Sequence, residues 1–490
     1  MPEIKPFWHN FIAGKWVEGA SGRRIVVENP ATGAPLAEIA RAETADVDRA
    51  VEAALSCVRS GALTNVRPAN RGRILIEIGR ILRSRLEPIA HIVCLDAGKS
   101  ITQARWEVEG AARYFEYYGG LADKIEGRYI PLGANYVDYV IPTPFGVSAQ
   151  IIPWNFPIEM AARSVAPALA AGNAVVLKSS ELDPLSVCVL AEVCQEAGLP
   201  DGALNVICGY GNEAGAALAL HKKVNQIVFT GSVATGQSIL HAAAQNIVPC
   251  VVELGGKSAG IVFSDADLNA VLESTRWGTF FNCGQVCSAM SRLLVEHTLY
   301  KEVTDRVAAM ISEFSMGPGI DDNFITPLIS GAQLDRVEGL CLTTAQQGNQ
   351  PLLGGRRREG TGYFMNPTLF AGLDPSTKIA REEVFGPVLC IMPFRDEDEA
   401  VRIANETDYG LVAGVFTSDL DRATGVAERL EAGQVFVNEW FAGGVETPFG
   451  GMKKSGFGRE KGQEALANYY QSKNVAIRRL KSRIENPRTL

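Results

Sequence analysis

No uninterrupted apolar run in this 490-residue chain approaches the roughly 20 residues that cross a bilayer; VAPALAAGNAVVL comes nearest and is too short. The opening MPEIKPFWHNFIAGKWVEG lacks the apolar stretch of a secretory signal, so a cytoplasmic protein with no membrane partner is expected. Basic charge is in deficit, 47 Lys and Arg against 55 Asp and Glu for a net charge of −8, which leaves no electrostatic footprint for nucleic acid. Cysteine is sparse. The ten present include no C-x-x-C pair, which excludes a disulfide-stapled scaffold and makes a small buried hydrophobe in a reducing compartment the default for each. His9, His91, His221, His241 and His297 are scattered and form no relay, so no metal site is expected. Internal repeats and low-complexity tracts are also missing.

What is present is an ordinary globular composition, 47% apolar and 21% charged, which rules out disorder as the main state. The length accommodates two or three domains. Glycine is in surplus at 49 residues, consistent with tight turns or close backbone approach to a ligand. The first ~130 residues read mostly as helix, as in RGRILIEIGRILRSRLEPIAHIVCLDAG, where apolar side chains recur at three- and four-residue steps. From about 146 the pattern changes to short apolar strands, GVSAQII, NAVVLK, LNVIC, QIVFT and CVVEL, separated by segments of helical spacing. That alternation predicts a doubly wound parallel sheet, with ligands bound beyond the carboxyl ends of the strands. A second set, SAGIVF, RLLVEH, PVLCIMPF, GLVAGVF and QVFVN, predicts a second α/β domain. YVDYVIPTPFG and KNVAIRRL are strand-like outliers of the kind that pair across a subunit boundary.

The residues that follow each strand carry the chemistry. In PWNFP two prolines stiffen the backbone around Asn155, whose side-chain amide is either an oxyanion donor or a local turn-former. Glu181 in KSSE stands where a nucleotide-binding unit places an acid on the adenosine ribose, a position that favours NAD over NADP; a solvated Lys/Glu loop is the other reading. GYGNEAG misses the G-x-G-x-x-G spacing and follows the wrong strand. In FTGSVATG, Gly231 and Ser232 lead into a helix, whose N-terminus suits a phosphate. Glu253, ending a strand before two glycines in ELGGKS, is either a buried carboxylate with the raised pKa of a general base or one half of an ion pair with Lys257. FNCGQVCSA places Cys283 and Cys287 in a polar turn, an odd setting for core cysteines, where a helix N-terminus would lower a thiol pKa.

Taken together and in this order, PWNFP, KSSE, FTGSVATG, ELGGKS and FNCGQVCSA, followed by EEVFGPV, the Asn438 region and PFGGMKKSGFGRE, resemble the NAD(P)-dependent aldehyde dehydrogenase superfamily over nearly the whole chain. The resemblance implies two doubly wound α/β domains. One binds NAD, over 1–125 and 146–254; the other is catalytic, over 255–455. A small β arm, 126–145 with 456–490, builds a homodimer or homotetramer. It implies Cys287 as nucleophile, Asn155 as oxyanion donor and Glu253 as the base that activates water, the last arguing against a CoA-acylating enzyme. For the cofactor it implies Lys178 and Glu181 at the adenosine ribose, Trp154, Gly231 and Ser232 near the pyrophosphate, Glu383 and Phe385 at the nicotinamide ribose and ring, and Leu254 as a further cofactor-binding residue. Tunnel positions fall on Phe156, Met160, Arg163, Phe281, Cys283, Val286, Ser288, Trp440 and Phe441. Arg163 stands where semialdehyde dehydrogenases carry an arginine that binds a substrate carboxylate; equally, Glu159 four residues earlier could pair with it along a helix. The aromatic wall also suits an aryl or medium-chain aldehyde, and Trp106-Glu107 an amino aldehyde, although Gly110 replaces an acid that amine-binding relatives often carry. A non-catalytic NAD-binding relative is the alternative of a different class.

Overall fold

Five strand-forming segments between Val147 and Glu253, each four to six residues long, form the middle of an eight-stranded sheet in a computed structural model that describes residues 4–480. Across this sheet the order is Gly456–Phe457, Cys250–Glu253, Gln226–Thr230, Val147–Ile151, Ala174–Ser179, Leu204–Cys208, Asn10–Ile12 and Lys15–Val17. The five central strands are parallel. They are buried almost end to end, as their uninterrupted apolar runs require when helices cover both faces. The chain builds outward from Val147–Ile151 in one direction and then returns to lay Gln226–Thr230 on its other side. This reversal opens a crevice between the carboxyl ends of these two neighbours.

The second unit is a six-stranded sheet in the order Thr368–Ala371, Val388–Phe394, Met290–Glu296, Ser258–Val262, Val412–Phe416 and Gln434–Val437, parallel throughout. Each sheet has its own apolar core. The two strand-like outliers pair with each other: Tyr470–Arg478 runs antiparallel to Tyr136–Pro144, with Arg128–Ile130 on the far edge. This separate three-stranded sheet leaves Tyr129, Tyr136, Ile141 and Ile477 exposed.

Two expectations change. The N-terminal region holds five short strands before its helices, among them Arg24–Asn29, where burial alternates residue by residue. Helical periodicity farther along masks these short period-two signals. The arm does not begin at 456, because Gly456–Phe457 pairs antiparallel with Cys250–Glu253 at the edge of the first sheet. Gly456, at φ +113°, lies flat against the Val252 carbonyl, where a Cβ would clash. Ala465, Leu466 and Tyr469 likewise join the first core, and 481–490 lie outside the described residues.

Candidate active site

The first strand end places Asn155 at the crevice. The loop Ile152–Phe156 leads into the helix Pro157–Ala171, with a proline at its first turn. Asn155 is buried, and its Nδ2 donates to the Gln285 carbonyl at 3.0 Å. Its own carbonyl accepts from Lys99 Nζ at 2.8 Å and from Asn282 Nδ2 at 2.9 Å. Lys99 is fully buried and ion-paired with Glu107, which also accepts from the N–H of Ile158 at 3.1 Å. Glu107 is therefore not a free acid at the tunnel mouth; it belongs to a buried network that fixes the amide. Because an amide carries two N–H bonds, Asn155 keeps one beyond that given to Gln285. Lys99 has no sequence signal, and Asn282 and Gln285 lie in FNCGQVCSA without any sign of this role.

Cys287 lies in the turn between Phe281–Gly284 and the strand Met290–Glu296. Two cavities meet at this turn, one of about 560 Å³ and one of about 300 Å³, and Cys287 and Met160 line both. The turn is held by close backbone packing. A Cβ on Gly256 would lie 2.5 Å from the Cys287 carbonyl oxygen, and one on Gly284 would clash with the backbone of Gly386. The thiol pKa is not lowered, as the sequence suggested, but raised: burial lifts it to about 11, with Arg163 pulling the opposite way. Cys283 is not a tunnel neighbour. Asn282 and Cys283 adopt successive left-handed conformations, φ +48° and +54°, which reverse the chain. Phe281 consequently faces the larger cavity, while Cys283 is fully buried in the second core, its thiol pushed up to about 12.

Glu253 ends its strand with the carboxylate buried and no hydrogen-bond partner for either oxygen among the described residues. Desolvation, reinforced by Glu460, holds it well above the usual carboxylate range. It does not pair with Lys257, whose buried Nζ also lacks a hydrogen-bond partner among the described residues and whose pKa burial lowers to about 8. A Cβ on Gly450 would lie 2.7 Å from Glu253 Oε1, so the glycines of PFGGMKKSGFGRE make room for this acid.

The smaller cavity opens at the crevice and is lined by Trp154, Gly231, Ser232, Leu254, Glu383 and Phe385. Ser232 caps the helix Val233–Asn246 by accepting from the Thr235 N–H, so the helix presents its N-terminus to the cavity. Glu383 accepts from the Gly256 N–H at 3.1 Å, and burial lifts its carboxyl to about 7. Phe385 is held at φ +57°, its ring edge-on to Trp154 at 5.2 Å between centroids. Gln333 and Arg336, unforeseen from sequence, anchor this loop by donating to the carbonyls of Phe385, Val384 and Glu383. Lys178 and Glu181 lie outside the lining, joined to each other at 3.0 Å at the carboxyl end of the adjacent strand Ala174–Ser179. A helix N-terminus, flanking apolar surfaces and a carboxylate placed at one end of the cavity fit a dinucleotide.

The larger cavity is a largely aromatic tunnel. Phe281 is its hub, 5.7 Å from Phe156, 6.0 Å from Phe441 and 6.3 Å from Trp106 between ring centroids. Of the predicted wall residues only Cys283 is absent; Tyr114, Glu159, Trp277 and Lys461 are additions. Arg163 lines the tunnel as expected. Its guanidinium forms a buried ion pair with Glu460, 297 positions along the chain, rather than with Glu159. Arg163→Met should therefore destabilise the fold by about 3–5 kcal/mol, because it strands a buried Glu460, and Arg163→Met with Glu460→Gln should recover part of that loss. Urea unfolding of the three proteins checks this; a single variant as stable as the parent would refute the pairing.

This arrangement has close counterparts among known proteins. An aldehyde dehydrogenase from Aspergillus niger is 41% identical over 470 residues, covering 96% of this chain and 94% of that one. The NAD+ complex of an aldehyde dehydrogenase from Bacillus cereus superposes with a TM-score of 0.96 at 36% identity, covering 98% of this chain and 99% of that one. Betaine aldehyde dehydrogenase from Staphylococcus aureus, also with NAD+, gives 0.94 at 34% identity over 96% of this chain and 94% of its own. The model of the Aldehyde dehydrogenase family matches residues 16–475, a span that takes in the five parallel strands of the first sheet, the whole second sheet, the crevice and both cavities, and the chain belongs to that family.

Proposed function

We propose that the protein oxidises an uncharged aryl or medium-chain aldehyde to its carboxylic acid, with Cys287 as nucleophile. The observation that carries this reading is the position of the Cys287 thiol at the junction of an aromatic tunnel and a cavity lined by a helix N-terminus, Trp154, Glu383 and Phe385. Ser232 at its helix N-terminus, Trp154, Leu254, Glu383 and Phe385 would hold NAD, with Lys178 and Glu181 at the adenosine end, where the Glu181 carboxylate would oppose a 2′-phosphate. When bound, NAD supplies the acceptor for the hydride that leaves the substrate carbon.

The protein's own groups do the rest. Cys287 reacts as the thiolate, its proton having passed to solvent; Sγ bonds to the aldehyde carbon as the C=O pair moves onto oxygen, and the oxyanion so formed takes the spare N–H of Asn155 and the backbone N–H of Cys287. Loss of hydride leaves a thioester on Cys287. Glu253 takes a proton from the attacking water, the C–S bond breaks, and the acid departs with the thiolate restored. Burial raises the Glu253 pKa, which makes its carboxylate a stronger base toward water than an exposed glutamate.

The tunnel supports the substrate class because its one deep arginine is neutralised by Glu460, leaving a carboxylated semialdehyde without the reader its sequence suggested. A cationic aldehyde is the second reading, favoured by the exposed Glu273 and Glu439 on the wall and by the likeness to betaine aldehyde dehydrogenase. Purified protein assayed for NADH release with benzaldehyde, hexanal, succinic semialdehyde and betaine aldehyde is expected to give the highest kcat/KM for the first two, and lower values with NADP. A maximum for either charged aldehyde would overturn the substrate reading, and no oxidation of any of them would overturn the activity. The exposed apolar face of the three-stranded sheet supports a homodimer or homotetramer, and ten free thiols suit the reducing cytoplasm.

A further inference from the structure

The charged groups of the tunnel wall are mostly committed. Arg163 is paired with Glu460, and Glu107 with Lys99. Glu273 and Glu439 are exposed to solvent. Two remain. Lys461 and Glu159 both line the tunnel, and among the described residues neither Lys461 Nζ nor the Glu159 carboxylate has an ion-pair partner within 4.0 Å or a hydrogen bond. They feel each other's charge, yet they stand farther apart than an ion pair.

The fold goes to some length to keep them there. Lys461 sits at φ +62°, a strained conformation for a lysine. It is clamped between Glu460, whose N–H and carbonyl both bond Phe449 at 2.7 Å, and Gly462, whose N–H bonds the Val445 carbonyl at 2.6 Å. Its ammonium lies 5.7 Å from the centre of the Phe449 ring. Glu159 leans over the helix Ile101–Leu121 at Gly110, where a Cβ would come within 3.1 Å of its carboxyl carbon. The absence of a side chain at 110 is what lets this acid lie along the wall.

A carboxylated substrate would meet repulsion from Glu159, and a cationic one from Lys461. A hydroxyl suffers neither, since it can give its hydrogen to a carboxylate while accepting one from an ammonium. We propose that Lys461 and Glu159 together read a hydroxyl group on the aldehyde, remote from the carbonyl, with its aromatic ring packed against Phe156, Phe281 and Phe441. This rests on the aryl-aldehyde reading above and narrows it to hydroxylated aryl aldehydes. Burial, which pushes the acid up and the amine down in pKa, makes the two groups costly to leave unpaired and so raises the discrimination they can exert.

The test compares kcat/KM for 3- and 4-hydroxybenzaldehyde with that for benzaldehyde, with NAD, in the full-length enzyme and in Lys461→Met, Lys461→Arg, Glu159→Gln and Gly110→Val. The parent is expected to favour one hydroxylated aldehyde by roughly 10- to 100-fold. That ratio should fall by about tenfold in Lys461→Met, Glu159→Gln and Gly110→Val, and recover in Lys461→Arg, which keeps a donor. A parent ratio near one, or a ratio unmoved by the two side-chain variants while all three aldehydes are turned over, overturns the hydroxyl reader but not the aryl-aldehyde function. Failure to oxidise any of the three overturns both. Because the readout is a ratio within one protein preparation, partial unfolding of a variant does not alter it.

Discussion

Cys287→Ala is expected to lower aldehyde-dependent NADH formation by roughly 10⁴-fold or more, the scale seen when a covalent nucleophile is removed from its constellation. The size follows from the chemistry. Without a sulfur to form the hemiacetal, the carbonyl presents no tetrahedral carbon from which hydride can leave, and the spare N–H of Asn155 has no oxyanion to stabilise. Binding of NAD should be retained, because Cys287 contributes one wall of a cavity held by Ser232, Glu383 and Phe385. Stability should change little, since losing one sulfur at a cavity junction removes few packing contacts. Stopped-flow NADH absorbance, NAD titration by calorimetry and thermal unfolding together check this. Turnover within tenfold of the parent would remove Cys287 from the mechanism.

Glu253→Gln should separate the two halves of the reaction. A neutral amide of the same shape leaves the oxidation step in place but cannot take a proton from water. The variant should release one burst of NADH per active site and then continue about 10²–10⁴-fold more slowly than the parent, with the acyl group detectable on Cys287 by intact mass. The pH dependence has a definite sign. Burial raises the Glu253 pKa, so at low pH the carboxyl is protonated and cannot act as base. Deacylation by the parent should therefore rise with pH through that raised value, and the rise should vanish in the variant. A burst that is absent while steady turnover persists would assign water activation to another group.

The strand ends were legible because each is a local event: an apolar run, then a proline, glycine or polar residue that must face the crevice once the strand is buried. Glu253 and Ser232 could be located this way, and the aromatic tunnel wall by likeness to the family. What stayed hidden is assembled across the chain. Asn155 is fixed by Lys99, Asn282 and Gln285, which are 56, 127 and 130 positions away, and no spacing links PWNFP to FNCGQVCSA or to Lys99. Arg163 illustrates the hazard of local reasoning, since Glu159 is at ideal helical spacing yet the partner is Glu460. Cys283 was misread because residue spacing does not reveal two left-handed residues in succession. Lys461 went unseen for a similar reason: a lysine after GRE reads as solvated surface until the fold turns it inward.

Cys287 and Met160 are shared by both cavities, so these two side chains mark the boundary between the two compartments. Such a boundary acts as a ruler. On the proposed function, an aldehyde travelling along the aromatic channel would stop where the second compartment begins, with its leading carbon beside sulfur. The distance from rim to boundary sets how long a tail remains outside, so a homologous series of aldehydes differs in what is left in solvent while the reacting end is registered against the same wall.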